Sequence, residues 1–134
     1  MKRTKIVLLS LCLAFAAGTA LGHHSGAMYD STKMVTVKGT VKDFGWKNPH
    51  VTILLTTEPH GKEPIQNWRF ELSSPGNLTR AGWTKRSMMP GDVVTVACNP
   101  MRDGSHSGLA KKVTLPDGKV LSFDFGNLEK SNLP

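Results

Sequence analysis

The sequence predicts an all-β fold: a small OB-like Greek-key β-barrel with one short helix between strands 3 and 4. Three observations lead there. Apolar and polar residues alternate with period two through much of residues 34–73, and a Ser-Pro start with a Gly stop interrupts that pattern at 74–82. Beyond the interruption, Pro-Gly and Asp-Gly turn signals cut the chain into further strand-length runs. Three strands, a helix and two or three more strands is the element order of the OB barrel, and closure removes the exposed edges of an open sheet.

Each element has its own reason. In the first strand Val35, Val37, Gly39 and Val41 alternate with Thr36, Lys38, Thr40 and Lys42, and Gly39 reads as a bend or bulge. After Gly45-Trp46-Lys47-Asn48-Pro49 a second strand runs from about His50 to Thr57, with Val51, Ile53 and Leu55 on one face. Residues 58–66, rich in Pro, Gly and charge, connect it to a third strand over 67–73, where Trp68, Phe70 and Leu72 share a face. Ser74 then reads as an N-cap and Pro75 as a first-turn residue of a short helix that puts Leu78 and Ala81 on one face and stops at Gly82. Pro90-Gly91-Asp92 turns into a fourth strand, Val93 to Asn99, whose nearly continuous apolar character predicts burial on both faces. Residues 100–109 read as a Gly/Ser loop, and a final hairpin is expected over 111–115 and 120–123, around Pro116-Asp117-Gly118.

The first 22 residues have a different character. Lys2, Arg3 and Lys5 precede an apolar run, Ile6 to Ala17, broken only by Ser10, and Ala20 and Gly22 stand at the −3 and −1 positions of a cut before His23. The run falls short of the about 20 apolar residues of a membrane span. The expected division is therefore a signal peptide at 1–22, an N-terminal arm at 23–33, the barrel at 34–125 and a loose tail at 126–134. The mature protein is expected in the periplasm or secreted, with no membrane anchor left after cleavage. Losing Lys2, Arg3 and Lys5 lowers the formal net charge from +7 to +4, so much of the basicity is targeting. The cations that remain are scattered rather than clustered, which argues against a nucleic-acid partner. Cys12 leaves with the signal, so Cys98 has no partner for an intramolecular disulfide.

Several segments together resemble a known family. His23-His24-Ser25, Tyr29-Asp30, Gly39-Thr40-Val41, Trp46-Lys47-Asn48-Pro49-His50, Asn67-Trp68, Ser74-Pro75, Gly82-Trp83, Pro90-Gly91-Asp92 and Pro116-Asp117-Gly118 are similar to the pattern of DUF6152, small periplasmic proteins of unknown function. The His-His-Ser start and the Trp-x-Asn-Pro-His segment are its most specific parts. The resemblance implies export and a β-barrel-like domain, and it assigns no catalytic residue.

The chemistry rests on the histidines: His23, His24, His50, His60 and His106 all follow the expected cut. A free amine on His23 and that residue's own imidazole chelate one metal, and a second imidazole completes a T-shaped set of three nitrogens that suits Cu(II). A metal displaces the amine proton near neutrality at small cost, since the ordinary amine value is about 7.7–8.0. A chain starting at Gly22 would instead place His24 third, giving the square-planar amine-x-x-His motif. The expected metal ligands are His23, His24 and His50, with copper as the cofactor, and His50 is the remote ligand held by the Asn48-Pro49 turn. The competing reading is a solvated polar arm, with His50 bonded to a backbone carbonyl. His106 is a second candidate, and His60 reads as surface.

The methionines are expected to pack, Met34 and Met88-Met89 among them, rather than to ligate. Trp46 and Trp83 are the candidate surface of the alternative function, a metal-free binding or interaction module that uses the barrel face to hold a protein, glycan or small apolar ligand. No recognisable Ser-His-Asp order, phosphate-binding Gly loop or zinc Cys cluster is present, so binding is expected ahead of catalysis. An oxidative copper enzyme ranks third.

Overall fold

The computed structural model describes residues 26–123, and the expected signal peptide, His23, His24 and the expected tail lie outside the described residues. After a single 3-10 turn (Gly26–Met28) the chain forms β1 (Val35–Gly45), β2 (Thr52–Thr56), β3 (Asn67–Glu71), α1 (Pro75–Arg80), β4 (Val93–Pro100), β5 (Ser107–Thr114) and β6 (Val120–Ser122). β1 lies antiparallel between β2 and β4, β2 pairs with β3, and β4 with β5. A parallel pairing of Arg69–Glu71 with Ser107–Leu109 joins β3 to β5 and closes five strands into the expected OB-like barrel, with the single helix between β3 and β4. The other half of β5 pairs with β6.

Alternation places the core as the sequence leads one to expect in β1 to β3. Val37, Val41, Ile53, Leu55, Phe70 and Leu72 are buried and join one cluster with Val94, Val96 and Val113. Gly39 serves a different purpose from the expected bend. A Cβ there would run into the Leu55 side chain and approach the Thr56 carbonyl oxygen to 2.5 Å, so glycine lets β2 cross close over β1. The register shift of β1 comes between Val41 and Asp43.

The helix carries the expected caps. Ser74 Oγ accepts from the Asn77 amide at 3.3 Å, and Pro75 occupies the first turn. At the other end Gly82 takes a φ of +89°, while the Gly82 and Trp83 amides donate to the Thr79 and Leu78 carbonyls at 3.1 and 3.0 Å. That is a Schellman stop, and it turns Trp83 inward beside Leu78 and Met88. Trp83 is 1% exposed and donates from Nε1 to the Ser122 carbonyl at 3.1 Å. Ala81 lies exposed, off the face that Leu78 buries.

Three further expectations are corrected. β4 is buried on one face only: Val94, Val96 and Cys98 point in, whereas Val93 is exposed and Thr95 and Ala97 are half-buried, because a closed barrel has one interior. β5 starts at Ser107, inside the expected Gly/Ser loop, since its first residues make the parallel seam with β3. Met34 and Met89 are exposed rather than packed; Met88 alone of the three enters the core.

Candidate functional site

His50 lies just before β2, on the connection from β1. Its neighbour Val51 extends the β2–β3 ladder: the Val51 amide donates to the Ser73 carbonyl at 3.0 Å and the Leu72 amide to the Val51 carbonyl at 2.9 Å. His50 is thus anchored beside the end of β3, where Glu71 pairs with Thr52. The imidazole Nδ1 is 2.5 Å from Glu71 Oε1, so the ring meets a carboxylate rather than the backbone carbonyl of the competing reading.

The other Glu71 oxygen is also engaged. Tyr29 donates its hydroxyl to Oε2 at 3.1 Å, across 42 positions of sequence. Burial, followed by the negative Glu71 beside it, pushes the Tyr29 phenol up from 10.0 to about 12, with Arg69 pulling the other way. Tyr29 belongs to the arm, and this part of the arm is fastened to the barrel. Tyr29 bridges Met101, the Asp30 amide donates to the Pro100 carbonyl at 2.8 Å, and Asn99 Nδ2 donates to the Lys33 carbonyl at 2.7 Å. Arg102 adds bonds to the Ala27 carbonyl from Nε and to the Met28 carbonyl from its amide. Asp30 is held below the usual carboxylate range, chiefly by bonds from the Thr32 hydroxyl and amide.

These groups border one cavity of about 300 Å3. Gly26, Tyr29, His50, Glu71, Leu72, Leu109 and Lys111 line it. The first described residue of the arm therefore forms part of the wall that carries His50. The His50 side chain is 42% exposed, which leaves its ring reachable from solvent.

The remaining candidates lie elsewhere. The ring of His106 stacks on Trp68 at 5.1 Å, and its carbonyl accepts from the Arg69 amide at 3.0 Å. His60 is exposed on the β2–β3 loop and bridges Glu63. It lines a separate cavity of about 500 Å3 between that loop, β1 and Trp68. Among the described residues, no three of the His, Cys, Asp and Glu side chains gather into a metal-binding group. Trp83 is core, so it offers no ring to a ligand, whereas Trp46 is half-buried and tilts against Phe44 at 5.7 Å. Burial pushes the Cys98 thiol up to about 11, which keeps it protonated at neutral pH. No helix among the described residues is long and apolar enough to cross a membrane.

Tyr29 and Glu71 escaped the sequence reading. Glu71 has the pattern of an ordinary outward residue of a strand; the signals for Tyr29 are its place in the Tyr29-Asp30 segment of the family pattern and its being the one large aromatic of an otherwise polar arm.

With the barrel, the capped helix and the His50 corner in place, the sequence comparison is decisive on family. The chain belongs to DUF6152, a family of unknown function whose model matches residues 10–112. The matched span of this DUF6152 protein includes His23, His24, His50 and Glu71. No curated protein matches the sequence. Among solved structures, it is similar to two crystal structures, both of one crystal form, of the mitochondrial single-stranded DNA binding protein Rim1 of S. cerevisiae. One, selenomethionine-labelled, has a TM-score of 0.51 at 9% identity over 69% of this chain and 97% of that one. The other has a TM-score of 0.48 at 10% identity over 63% and 93%. At such identity the likeness concerns the fold alone.

Proposed function

We propose that this protein is exported, is cut before His23, and binds copper through its new N-terminus together with His50. The amine and imidazole of His23 supply two nitrogens, and His50 supplies the third from the barrel, with His24 as the neighbouring imidazole. The observation that carries this reading is the shared wall of Gly26 and His50. His23 stands three positions before Gly26, and an extended chain covers at most about 10 Å over three residues. The arm is thereby tethered within reach of the one candidate histidine that the barrel holds by a carboxylate. Nitrogen donors in a T-shaped set favour Cu(II), and the role that follows is metal handling in the periplasm. The competing reading, a metal-free binding module, draws on the about 500 Å3 cavity beside Trp68. The scattered positive charge argues against a nucleic-acid partner for this chain, whatever its fold neighbours bind.

The test is a Cu(II) titration against a chelator of known affinity. It compares four proteins: a chain beginning at His23, the same chain with three extra residues in front so that neither His23 nor His24 stands among the first three, His50→Ala and His60→Ala. Extension and His50→Ala should each weaken binding, and His60→Ala should leave it unchanged. For the intact site, affinity should fall as pH drops through the ordinary imidazole range, because protons compete for the same nitrogens. Equal affinity in all four proteins overturns the reading. So does an intact mass of the periplasmic protein that retains residues 1–22.

A further inference from the structure

We propose that the first half of β1 is a docking edge, to which an extended peptide of another protein, apolar on one face and carrying Lys or Arg on the other, adds as a strand. The proposal concerns the about 500 Å3 cavity and stands independently of copper; it takes the metal-free reading as far as a partner. It starts from the direction of the β1 backbone groups. The Val41 amide donates to the Asp92 carbonyl at 2.8 Å, and the Val41 carbonyl accepts from the Gly91 amide at 2.9 Å, so Val41 faces the β4 side. Strand groups alternate from side to side, and the β1–β4 register runs without a shift from Val35 to Thr40. Gly39, Val37 and Val35 therefore face β4 as well, and Thr40, Lys38 and Thr36 face the opposite side. Thr40 meets Thr56 there, but the β1–β2 ladder ends at that pair. The next residue, Thr57, turns its amide to the Gln66 carbonyl at 2.9 Å, at the base of the β2–β3 loop. On that side the N–H and C=O of Thr36 and Lys38 have no partner among the described residues, and both residues are exposed.

Unpaired strand groups call for another extended backbone, and the cavity says which kind. One wall is the β1 edge and the other is the β2–β3 loop, with Val35, Val37 and Trp68 lining the core side. A strand pairs at about 4.8 Å from its neighbour, so a single segment fits between such walls. A second copy would bring its own loop and sheet against this loop, which favours a lone segment. At about 3.4 Å per residue the edge from Val35 to Gly39 matches about five residues of partner. Side chains of the added strand alternate. Those on the core side meet Val35, Val37 and Trp68 and must be apolar. Those on the outer side reach Glu58 and Glu63 of the loop, exposed carboxylates with no ion pair among the described residues, so Lys or Arg is the complement. Lys38 disfavours a cation directly opposite itself, which leaves the position opposite Thr36. Laid antiparallel, like both neighbours of β1, the matching peptide reads Val-Thr-Val-Lys-Val.

The experiment uses protein made from the full sequence and that peptide, acetylated and amidated at its ends. Amide hydrogen exchange read by NMR follows each edge residue. Without peptide, the Thr36 and Lys38 amides should exchange at least about tenfold faster than those of Val37 and Gly39, which β4 holds. Saturating peptide should slow Thr36 and Lys38 by about tenfold or more and leave Val37 and Gly39 as they were. Methylating the backbone nitrogens of the peptide's Thr and Lys, which face β1, should abolish binding, whereas methylating those of its three valines should not. Replacing the peptide's Lys with Glu should weaken binding by about fivefold, and protein carrying both Glu58→Gln and Glu63→Gln should lose that discrimination. Lys38→Pro deletes one open-edge N–H without touching a bond to β4, and it should weaken binding by about tenfold. If that variant does not fold, the two methylated peptides decide.

Thr36 and Lys38 amides already protected in the free protein overturn the proposal. Protection at every concentration means that the chain covers its own edge, and protection that fades on dilution, with a dimer in sedimentation, means that a second copy covers it. Exchange that millimolar peptide does not slow, or equal binding of the two methylated peptides, overturns strand addition as well. No metal enters these measurements, so their failure leaves the copper reading where it stood.

Discussion

Tyr29 is the only tyrosine of the chain, so the phenolate absorbance of the protein reports on one group at the candidate site. Its phenol is raised from 10.0 to about 12, first by burial and then by Glu71. The native state thus holds the proton more tightly than the unfolded chain does. A raised value contributes stability that is complete below pH 10 and is lost as pH climbs from 10 through about 12. Two units correspond to a ceiling of about 3 kcal/mol, and screening at the solvent-facing part of the ring reduces this to roughly 1–2 kcal/mol. The assay is a pair of measurements. An alkaline absorbance titration of the native protein should show the phenol ionising well above 10. Denaturant unfolding over the same range should show wild type losing its advantage over Tyr29→Phe, which has no proton to lose, while the shared lysine titrations cancel in the difference. A native phenol that ionises at its ordinary value would refute the Tyr29–Glu71 contact. A stability difference between the two proteins that stays flat with pH would refute the linkage.

The fold was legible where a residue's neighbours along the chain decide its environment. Alternation in β1, β2 and β3 follows from a strand having one core face, and the caps of α1 follow from Ser74, Pro75 and Gly82 meeting the ends of a single helix. It was less legible where a distant strand decides. Val93, Thr95 and Ala97 resemble core residues by type, yet they sit on the outside of a barrel whose interior is already filled by Val94, Val96 and Cys98. Ser107 and Gly108 have the composition of a loop but belong to β5. A Cβ on Gly108 would lie 2.5 Å from Cys98 Sγ, so the small residue there reflects a close approach rather than a turn.

The candidate site divides in the same way. His50 stood out because it follows Asn48-Pro49 at the edge of an alternating run. Its partner did not, since Glu71 is an ordinary strand glutamate until the β2–β3 register brings Thr52 opposite it. Tyr29 reaches Glu71 only after the arm is tied down by Arg102 and Asn99, two residues from the far end of β4 and beyond. His106 is an exposed loop residue, as its Gly/Ser surroundings lead one to expect, and what the sequence does not show is that its ring lies on the face of Trp68.

Two mutational tests probe the barrel itself. Phe70 is fully buried and pairs across β2 with Ile53, so Phe70→Ala should cost about 3–5 kcal/mol in denaturant unfolding; a loss under about 0.5 kcal/mol would mean that β3 presents its other face to the core. The second test compares two glycines. At Gly39 an added Cβ meets the Leu55 side chain, the Thr56 carbonyl oxygen at 2.5 Å and the Thr56 carbonyl carbon at 2.9 Å. Leu55 can rotate, but the Thr56 backbone belongs to a ladder that pairs with β1 and β3, so relief requires moving β2. Overpacking of this kind costs about 1–3 kcal/mol. At Gly76, in the first turn of α1, an added Cβ meets nothing within 4 Å, and alanine there should be neutral or stabilise by about 0.4–1 kcal/mol through the unfolded chain. The two substitutions make the same chemical change and differ in what surrounds them, so opposite signs in paired unfolding curves isolate the crossing of β1 and β2. If Gly39→Ala is tolerated as well as Gly76→Ala, the strands do not approach there as described, and the tight crossing gives way to the simple bend that a glycine in an alternating strand first implies.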